Sequence, residues 1–319
     1  MRAFIFPGQG SQAVGMGTAL AAASPHAREV LQEVDDALAQ HLSRIMAEGP
    51  ADQLTLTENA QPAIMANALA TLRVLEREGG ARLAEKADYV AGHSLGEYGA
   101  LCAAGAFDLA TTARLLKLRG QAMQSAVAVG EGAMAALLGV DVERAGVIAG
   151  AAVDSLLAEG GDALVCTVAN DNDPGQVVIS GHRAAVERAA ALAKEMGAKR
   201  AVLLPVSAPF HCPLMQPAAE AMEAALLAVD IAAPLVPVYA NVDAVPLSDP
   251  GQIRSSLVAQ VTGMVRWRES IAKMFDEGVT DFVEFGAKVL APMVKRIAPD
   301  ATVTSVVTMD DIEALGARL

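Results

Sequence analysis

Apolar residues along this chain fall into two patterns. Short blocks closed off by glycine, proline or acidic residues predict buried strands at Ala3–Phe6, Tyr89–Ala91, Ala133–Val140, Ala163–Ala169, Gly175–Ser180, Lys199–Val206, Val236–Asn241 and Asp281–Phe285. Longer stretches in which Ala and Leu recur every three or four positions predict helices from about Gly17, over Pro25–Leu42, Gln61–Glu78, Leu95–Ala104, Leu109–Ala126, Val142–Glu159, Arg183–Gly197, Asp249–Val261 and 264–279, and from Gly286. Gln61-Pro62 reads as a helix start with proline in the first turn.

Strands alternating with helices imply an α/β fold with a parallel sheet. Between about 130 and 205 the order becomes β-α-β-β-α-β, the split unit of a ferredoxin-like domain, with Asn170–Gln176 (NDNDPGQ) as its hairpin turn. A small domain over 130–205 is therefore expected to interrupt a discontinuous large domain made of 1–129 and 206–319.

Composition narrows the class. At 319 residues with 53% hydrophobic and only 3% aromatic content, the chain can bury a large interior filled by Ala, Val and Leu. The net charge of −13 argues against a nucleic-acid partner bound through a broad basic face. Three widely spaced cysteines, Cys102, Cys166 and Cys212, fit reduced thiols better than a disulfide framework or a zinc site. Pro7 and Gly8 break the N-terminal apolar run before a signal segment could form, and no run reaches the ~18 residues of a membrane span. A cytoplasmic protein with no membrane partner is the expectation.

Candidate chemistry centres on YVAGHSLGEYGALCAA, Tyr89–Ala104. Gly92 and Gly96 flank Ser94 in the G-x-S-x-G spacing, in which glycines permit a sharp strand-to-helix turn that pushes a hydroxyl out of the sheet. The turn also sets Ser94 at a helix N-terminus, where free N–H groups favour a developing oxyanion. The loop FPGQGSQ after the first strand fits neither dinucleotide nor Walker spacing, but its glycines would let backbone N–H groups approach a neighbouring site. Of five histidines, His26, His41 and His182 sit at helical or helix-start positions, and His93 abuts Ser94 in sequence and would point away from it. Elimination leaves His211, in SAPFHCPLM, as the best candidate base, with Cys212 beside it better explained as a packed thiol. Arg119, in LLKLRGQAM, reads on composition alone as an ordinary helix-face charge.

Four motifs occur in order: FPGQGSQ at 6–12, GHSLGEYGAL at 92–101, LRGQAM at 118–123 and SAPFHCPLM at 207–215. Together they resemble the malonyl-CoA:acyl carrier protein transacylase family, the FabD-like acyltransferases that also supply domains of polyketide synthases. The similarity runs through NDNDPGQVVISG at 170–181 and VEFGAKVLAPMVKRI at 283–297 and spans essentially the whole chain. It implies a hydrolase-like α/β large domain interrupted by a ferredoxin-like small one, in agreement with the order of elements.

By matching motif, Ser94 would be the nucleophile and His211 its general base and later acid, without a triad carboxylate. A carbonyl associated with Gln260 would orient His211, and backbone N–H groups of Gln9 and Leu95 would form the oxyanion hole. Arg119 changes status and becomes the clamp for the free carboxylate of a malonyl group. Phe210 and Leu95 resemble the residues of malonyl-selective members, and Asn170 and Asn172 are added as substrate-binding candidates. The implied reaction is ping-pong transfer from malonyl-CoA to the phosphopantetheine thiol of an acidic acyl carrier protein, with no metal or redox cofactor and a monomeric enzyme. Lys199, Arg200, Arg266, Arg268, Lys295 and Arg296 are candidate docking charges. A serine esterase or thioesterase, a non-catalytic docking subunit, and transferases serving polyketide or malonate-decarboxylase systems are the rival readings.

Overall fold

The computed structural model describes residues 1–319. Ten strands form two sheets: β1 (Arg2–Phe6), β2 (Tyr89–Gly92), β3 (Gly132–Leu138), β4 (Cys166–Asp173), β5 (Gln176–His182), β6 (Arg200–Leu203), β7 (Val238–Tyr239), β8 (Pro246–Leu247), β9 (Asp281–Phe285) and β10 (Thr302–Val306). The larger sheet has the order β10-β9-β1-β2-β7-β8. It is parallel from β10 to β7, with the two-residue β8 added antiparallel at one edge. β1 is apolar from Ala3 to Phe6 because such strands are covered by helices on both faces: Phe4 and Phe6 enter one core cluster, while Ala3 and Ile5 enter another with Trp267.

The second sheet is antiparallel in the order β4-β5-β3-β6. Numbered within its own unit that is 2-3-1-4, the strand order of a ferredoxin-like sheet read from its other edge. Alternation along β3 shows what the sheet does. Ala133, Ala135 and Leu137 pack under the helices Val142–Ala158 and Arg183–Ala193, whereas Met134 and Ala136 join the core of the large domain. One face covers its own helices and the other roofs the large domain.

Several boundaries differ from the sequence reading. The helix predicted from Gln61 begins at Thr57, so Pro62 lies in its second turn. Nearly every residue of that helix to Leu75 is buried, and this packing outweighs the ~3 kcal/mol that interior proline costs. Pro25–Leu42 is broken at Ala39, whose φ of 46° ends the first helix at Leu38. The helix placed at 264–279 runs only from Trp267 to Asp276. The helix predicted from Gly286 starts at Ala291, because Gly286 (φ 78°) lies against Ala68, and buried Glu284 collects the N–H groups of Val289, Leu290 and Ala291 as an N-terminal cap.

The largest correction concerns NDNDPGQ. Asn170, Asp171, Asn172 and Asp173 are not a turn but the buried end of β4, and only Pro174 and Gly175 turn the hairpin. Polar residues occupy a buried strand here because partners from the large domain meet them. Arg268 bonds Asp171 and Arg296 bonds Asp173, while Asp171 N–H and Ala169 C=O pair with Val265.

Candidate active site

At the carboxyl ends of β1 and β2 the chain makes its sharpest turn. A Cβ on Gly92 would sit 1.9 Å from the Gly96 carbonyl carbon, and one on Gly96 would sit 2.3 Å from the Phe6 carbonyl oxygen, so neither position admits another residue. Between them Ser94 holds φ at 53°, a conformation that costs a non-glycine residue about 1–3 kcal/mol. Asn241, just beyond β7, fastens both limbs: its Oδ1 accepts from the Ser94 N–H at 2.7 Å and its Nδ2 donates to Gly92 C=O at 2.7 Å.

The elbow directs Ser94 Oγ to His211 Nε2, 2.7 Å away. Nδ1 of the same ring donates to the Gln260 carbonyl at 2.8 Å, which leaves Nε2 as the proton acceptor facing the hydroxyl. That carbonyl is available because Gln260 lies in the last turn of the helix Pro250–Thr262, where backbone oxygens have no partner within the helix. Its place at the negative end of the helix dipole favours an adjacent imidazolium, the task a carboxylate performs in a triad. Burial, and then the charge of Arg119, push the His211 imidazole down to about 3, so it is neutral near pH 7. Cys212 donates its thiol to Pro209 C=O, and burial raises it further from thiolate.

Arg119, 1% exposed, is the third member of the group. It reaches in from the helix Leu109–Ser125; Nη1 donates to Gln61 Oε1 at 2.8 Å, and Nη2 to Gln260 Oε1 at 2.9 Å and to Ser94 Oγ at 3.3 Å. Its Nε–H has no partner, no carboxylate touches the guanidinium, and burial lowers its pKa. A buried cation with neutral partners and a free donor, beside the Ser94 hydroxyl, is equipped to receive an anionic group through paired charge-assisted hydrogen bonds.

The loop after β1 presses on the elbow so closely that a Cβ on Gly8 would be 2.6 Å from the His93 carbonyl oxygen. The N–H groups of Gln9 and Leu95 donate to no acceptor within the protein, and Leu95 is the residue that opens the elbow helix. Two unclaimed donors, one on the loop packed against the elbow and one next to Ser94 in the chain, can serve a developing oxyanion. Phe210 is a packed member of the main core cluster next to His211. Asn172 Oδ1 bonds His93 Nε2 at 2.8 Å, which accounts for that histidine facing away from Ser94, whereas the Asn170 side chain makes no hydrogen bond within the protein.

Three residues of the network were not singled out in the sequence. Gln61 and Asn241 hold Arg119 and the elbow, and Glu97 accepts from the Asn241 N–H and from Gln260 Nε2. Asn241 at least stands out as a polar residue closing the apolar run Val236–Ala240, whereas Gln61 and Glu97 lie among other polar residues and carry no such signal. Among the basic residues expected at the surface, Arg266, Arg268 and Arg296 are tied to Glu269, Asp171 and Asp173, and Lys295 bonds backbone carbonyls. Lys199 and Arg200 alone of the six form no ion pair or carbonyl bond. No three His, Cys, Asp or Glu side chains converge where a metal ion could be held, and no helix is long and apolar enough to cross a membrane.

Comparison with known proteins agrees with this geometry. The family model described as acyl transferase domain matches residues 3–309. The malonyl CoA-acyl carrier protein transacylase of Bacillus subtilis is 45% identical over 296 residues, 92% of this chain and 90% of that protein. An acyl-carrier-protein-S-malonyltransferase of known structure from Bartonella henselae is 55% identical, with a TM-score of 0.93 and 98% of each chain covered. A malonyl-transacylase solved in complex with a type II polyketide acyl-carrier protein is 37% identical, covering 100% of this chain and 99% of that one at a TM-score of 0.93. The matched span takes in both sheets and the segments that carry the Ser94 cluster, and the chain belongs to the acyl transferase domain family.

Proposed function

We propose that the enzyme moves a malonyl group from malonyl-CoA to the phosphopantetheine thiol of an acyl carrier protein by way of a malonyl ester on Ser94. One observation carries the reading: a buried Arg119 with no carboxylate partner stands 3.3 Å from the nucleophilic oxygen. An acyl group on that oxygen with a carboxylate at its far end would supply the missing anion, and a guanidinium offers two parallel bonds that lysine cannot.

Ser94 Oγ attacks the thioester carbonyl carbon as its proton passes to His211 Nε2. The tetrahedral oxyanion is met by the N–H groups of Gln9 and Leu95, each worth roughly 3–4 kcal/mol in such a site. As the C–S bond breaks, the imidazolium returns the proton to the CoA sulfur. The carrier thiol then gives its proton to His211 and attacks the ester carbonyl, and as the C–O bond breaks the imidazolium returns that proton to Ser94 Oγ. The phosphopantetheine arm belongs to the carrier, so the enzyme supplies no cofactor of its own. Lys199 and Arg200, the unpaired pair among the candidates, are the docking charges, and the enzyme works as a cytoplasmic monomer.

Intact-protein mass spectrometry after mixing with malonyl-, methylmalonyl- or acetyl-CoA tests this. Wild type should gain one malonyl group, Ser94→Ala none, and Arg119→Ala should shift toward acetyl. A wild-type protein that never acquires an adduct sinks the mechanism. A carrier panel would tell a fatty-acid role from a polyketide one, a question raised by the relative bound to a polyketide carrier.

A further inference from the structure

Glu97 is a buried carboxylate that the transfer chemistry leaves idle. It lies in the first turn of the helix Gly96–Ala103, 1% exposed, and its Oε2 accepts from the Asn241 N–H at 3.0 Å and from Gln260 Nε2 at 2.8 Å. The other end of the same amide, Gln260 Oε1, accepts from Arg119 Nη2 at 2.9 Å. One side-chain amide therefore spans a buried anion and a buried cation, and neither makes an ion pair with any other residue. The remaining titratable groups around Glu97 are few. Asp243, exposed on the segment after β7, adds a negative charge, Tyr98 beside it on the helix is held far above its ordinary range by burial, and His211 stands across Gln260.

Two isolated buried charges would each be costly, and each is tolerable because the other is one amide away. A carboxylate delivered onto Arg119 changes that balance, since two anions would then share one buried cation. The geometry points to Glu97 as the internal countercharge of Arg119 in the free enzyme, surrendered by protonation when a carboxylate-bearing acyl group occupies Ser94. This inference rests on the function proposed above. The proton comes from solvent: Glu97–COO⁻, Ser94–OH, malonyl-CoA and H⁺ give Glu97–COOH, malonyl-Ser94 and CoA-SH, while the serine proton leaves on the CoA sulfur and the malonyl carboxylate stays ionised. Burial already pushes the Glu97 carboxyl up to about 7, so a second anion needs to shift it little for uptake to occur near neutral pH.

Stopped-flow mixing of enzyme with excess malonyl-CoA in weak buffer at about pH 7.5, with an indicator dye and adducts counted by mass spectrometry, reads the step directly. Wild type should take up roughly half a proton or more per malonyl-serine formed. CoA thiol can only release protons, so net uptake cannot come from it. Glu97→Gln can keep both hydrogen bonds through its amide oxygen, and should lower uptake per adduct at least about five-fold. If that variant does not fold, wild type with acetyl-CoA serves instead, and acetyl-serine should form without uptake. Malonyl adduct without uptake overturns this inference alone. Uptake that persists in Glu97→Gln assigns the proton to His211 and overturns it too, whereas no adduct at all overturns the transfer reading and this inference together.

Discussion

Ser94 and His211 face each other from two left-handed backbones, at φ 53° and 57°, with Oγ and Nε2 2.7 Å apart. Strain at both ends of one hydrogen bond is strain the surrounding structure must hold. The holding residues are Asn241 at the serine and Gln260 at the histidine. Replacing Ser94 by Gly removes the hydroxyl and the strain, whereas Ala removes the hydroxyl only. Ser94→Gly should therefore exceed Ser94→Ala in stability by about 1 kcal/mol, roughly 2 °C in Tm for a chain this long. Equal melting temperatures would show that the elbow is not strained.

The elbow was legible in the sequence because its turn is local, whereas the role expected of Arg119 came only with the resemblance to an acyltransferase family. The spacing of Gly92, Ser94 and Gly96 encodes the turn, and the order of strands and helices after Gly132 matches the inserted sheet. What stayed hidden is carried by side chains from distant segments. Asp171 and Asp173 look like turn residues until Arg268 and Arg296, about a hundred positions later, neutralise them inside a strand. Glu97 and Asn241 likewise gain meaning only when 144 residues of chain bring the Asn241 N–H onto the Glu97 carboxylate. Helix ends failed for a related reason: the starts at Thr57 and Ala291 are set by tertiary burial and by the Glu284 cap, which no local propensity reports.

The acid limb of the reaction should be unusual. A histidine of ordinary pKa, about 6.5, would be some 97% protonated at pH 5 and would cut kcat/KM for malonyl-CoA about 30-fold from its value at pH 8. His211 is held down to about 3, first by burial and then by Arg119, so its neutral, proton-accepting form persists through this range. Lowering pH from 8 to 5 should cost less than about three-fold in single-turnover acylation. A rate that falls on the acid side with its midpoint near 6.5 would mean that solvent reaches the imidazole in the working enzyme.

The two sheets are joined by charge as well as by packing. Asp171, 3% exposed, accepts Arg268 at 2.9 and 3.0 Å, yet burial still raises its pKa from its ordinary value. Removing the arginine leaves a buried carboxylate unpaired. Arg268→Ala should destabilise the protein by about 1–3 kcal/mol near pH 7, discounted for the exposed side of the pair. The sign with pH follows from the raised value: the penalty should shrink as pH falls and Asp171 takes a proton. Adding Asp171→Asn should restore most of the loss in urea unfolding, and a double variant as weak as the single one would contradict the unpaired-charge account.

The oxyanion donors can be tested through a residue that touches no substrate. Gly8 lies where a Cβ would come within 2.6 Å of the His93 carbonyl oxygen and 3.0 Å of its Nδ1, so Gly8→Ala must push the loop carrying Gln9 away from the elbow. The strand before it is anchored through Phe6, whose carbonyl accepts the His93 N–H at 3.0 Å, and the displacement should therefore fall on residues after Pro7. Neither Ser94, His211 nor Arg119 needs to move. If the Gln9 N–H stabilises the tetrahedral oxyanion, the variant should lose about 10²–10³ in kcat with little change in KM for malonyl-CoA, since the donor acts on charge that exists only at the transition state. A variant that keeps kcat but binds malonyl-CoA poorly would instead make the loop a wall of the substrate cleft and leave Leu95 as the sole backbone donor.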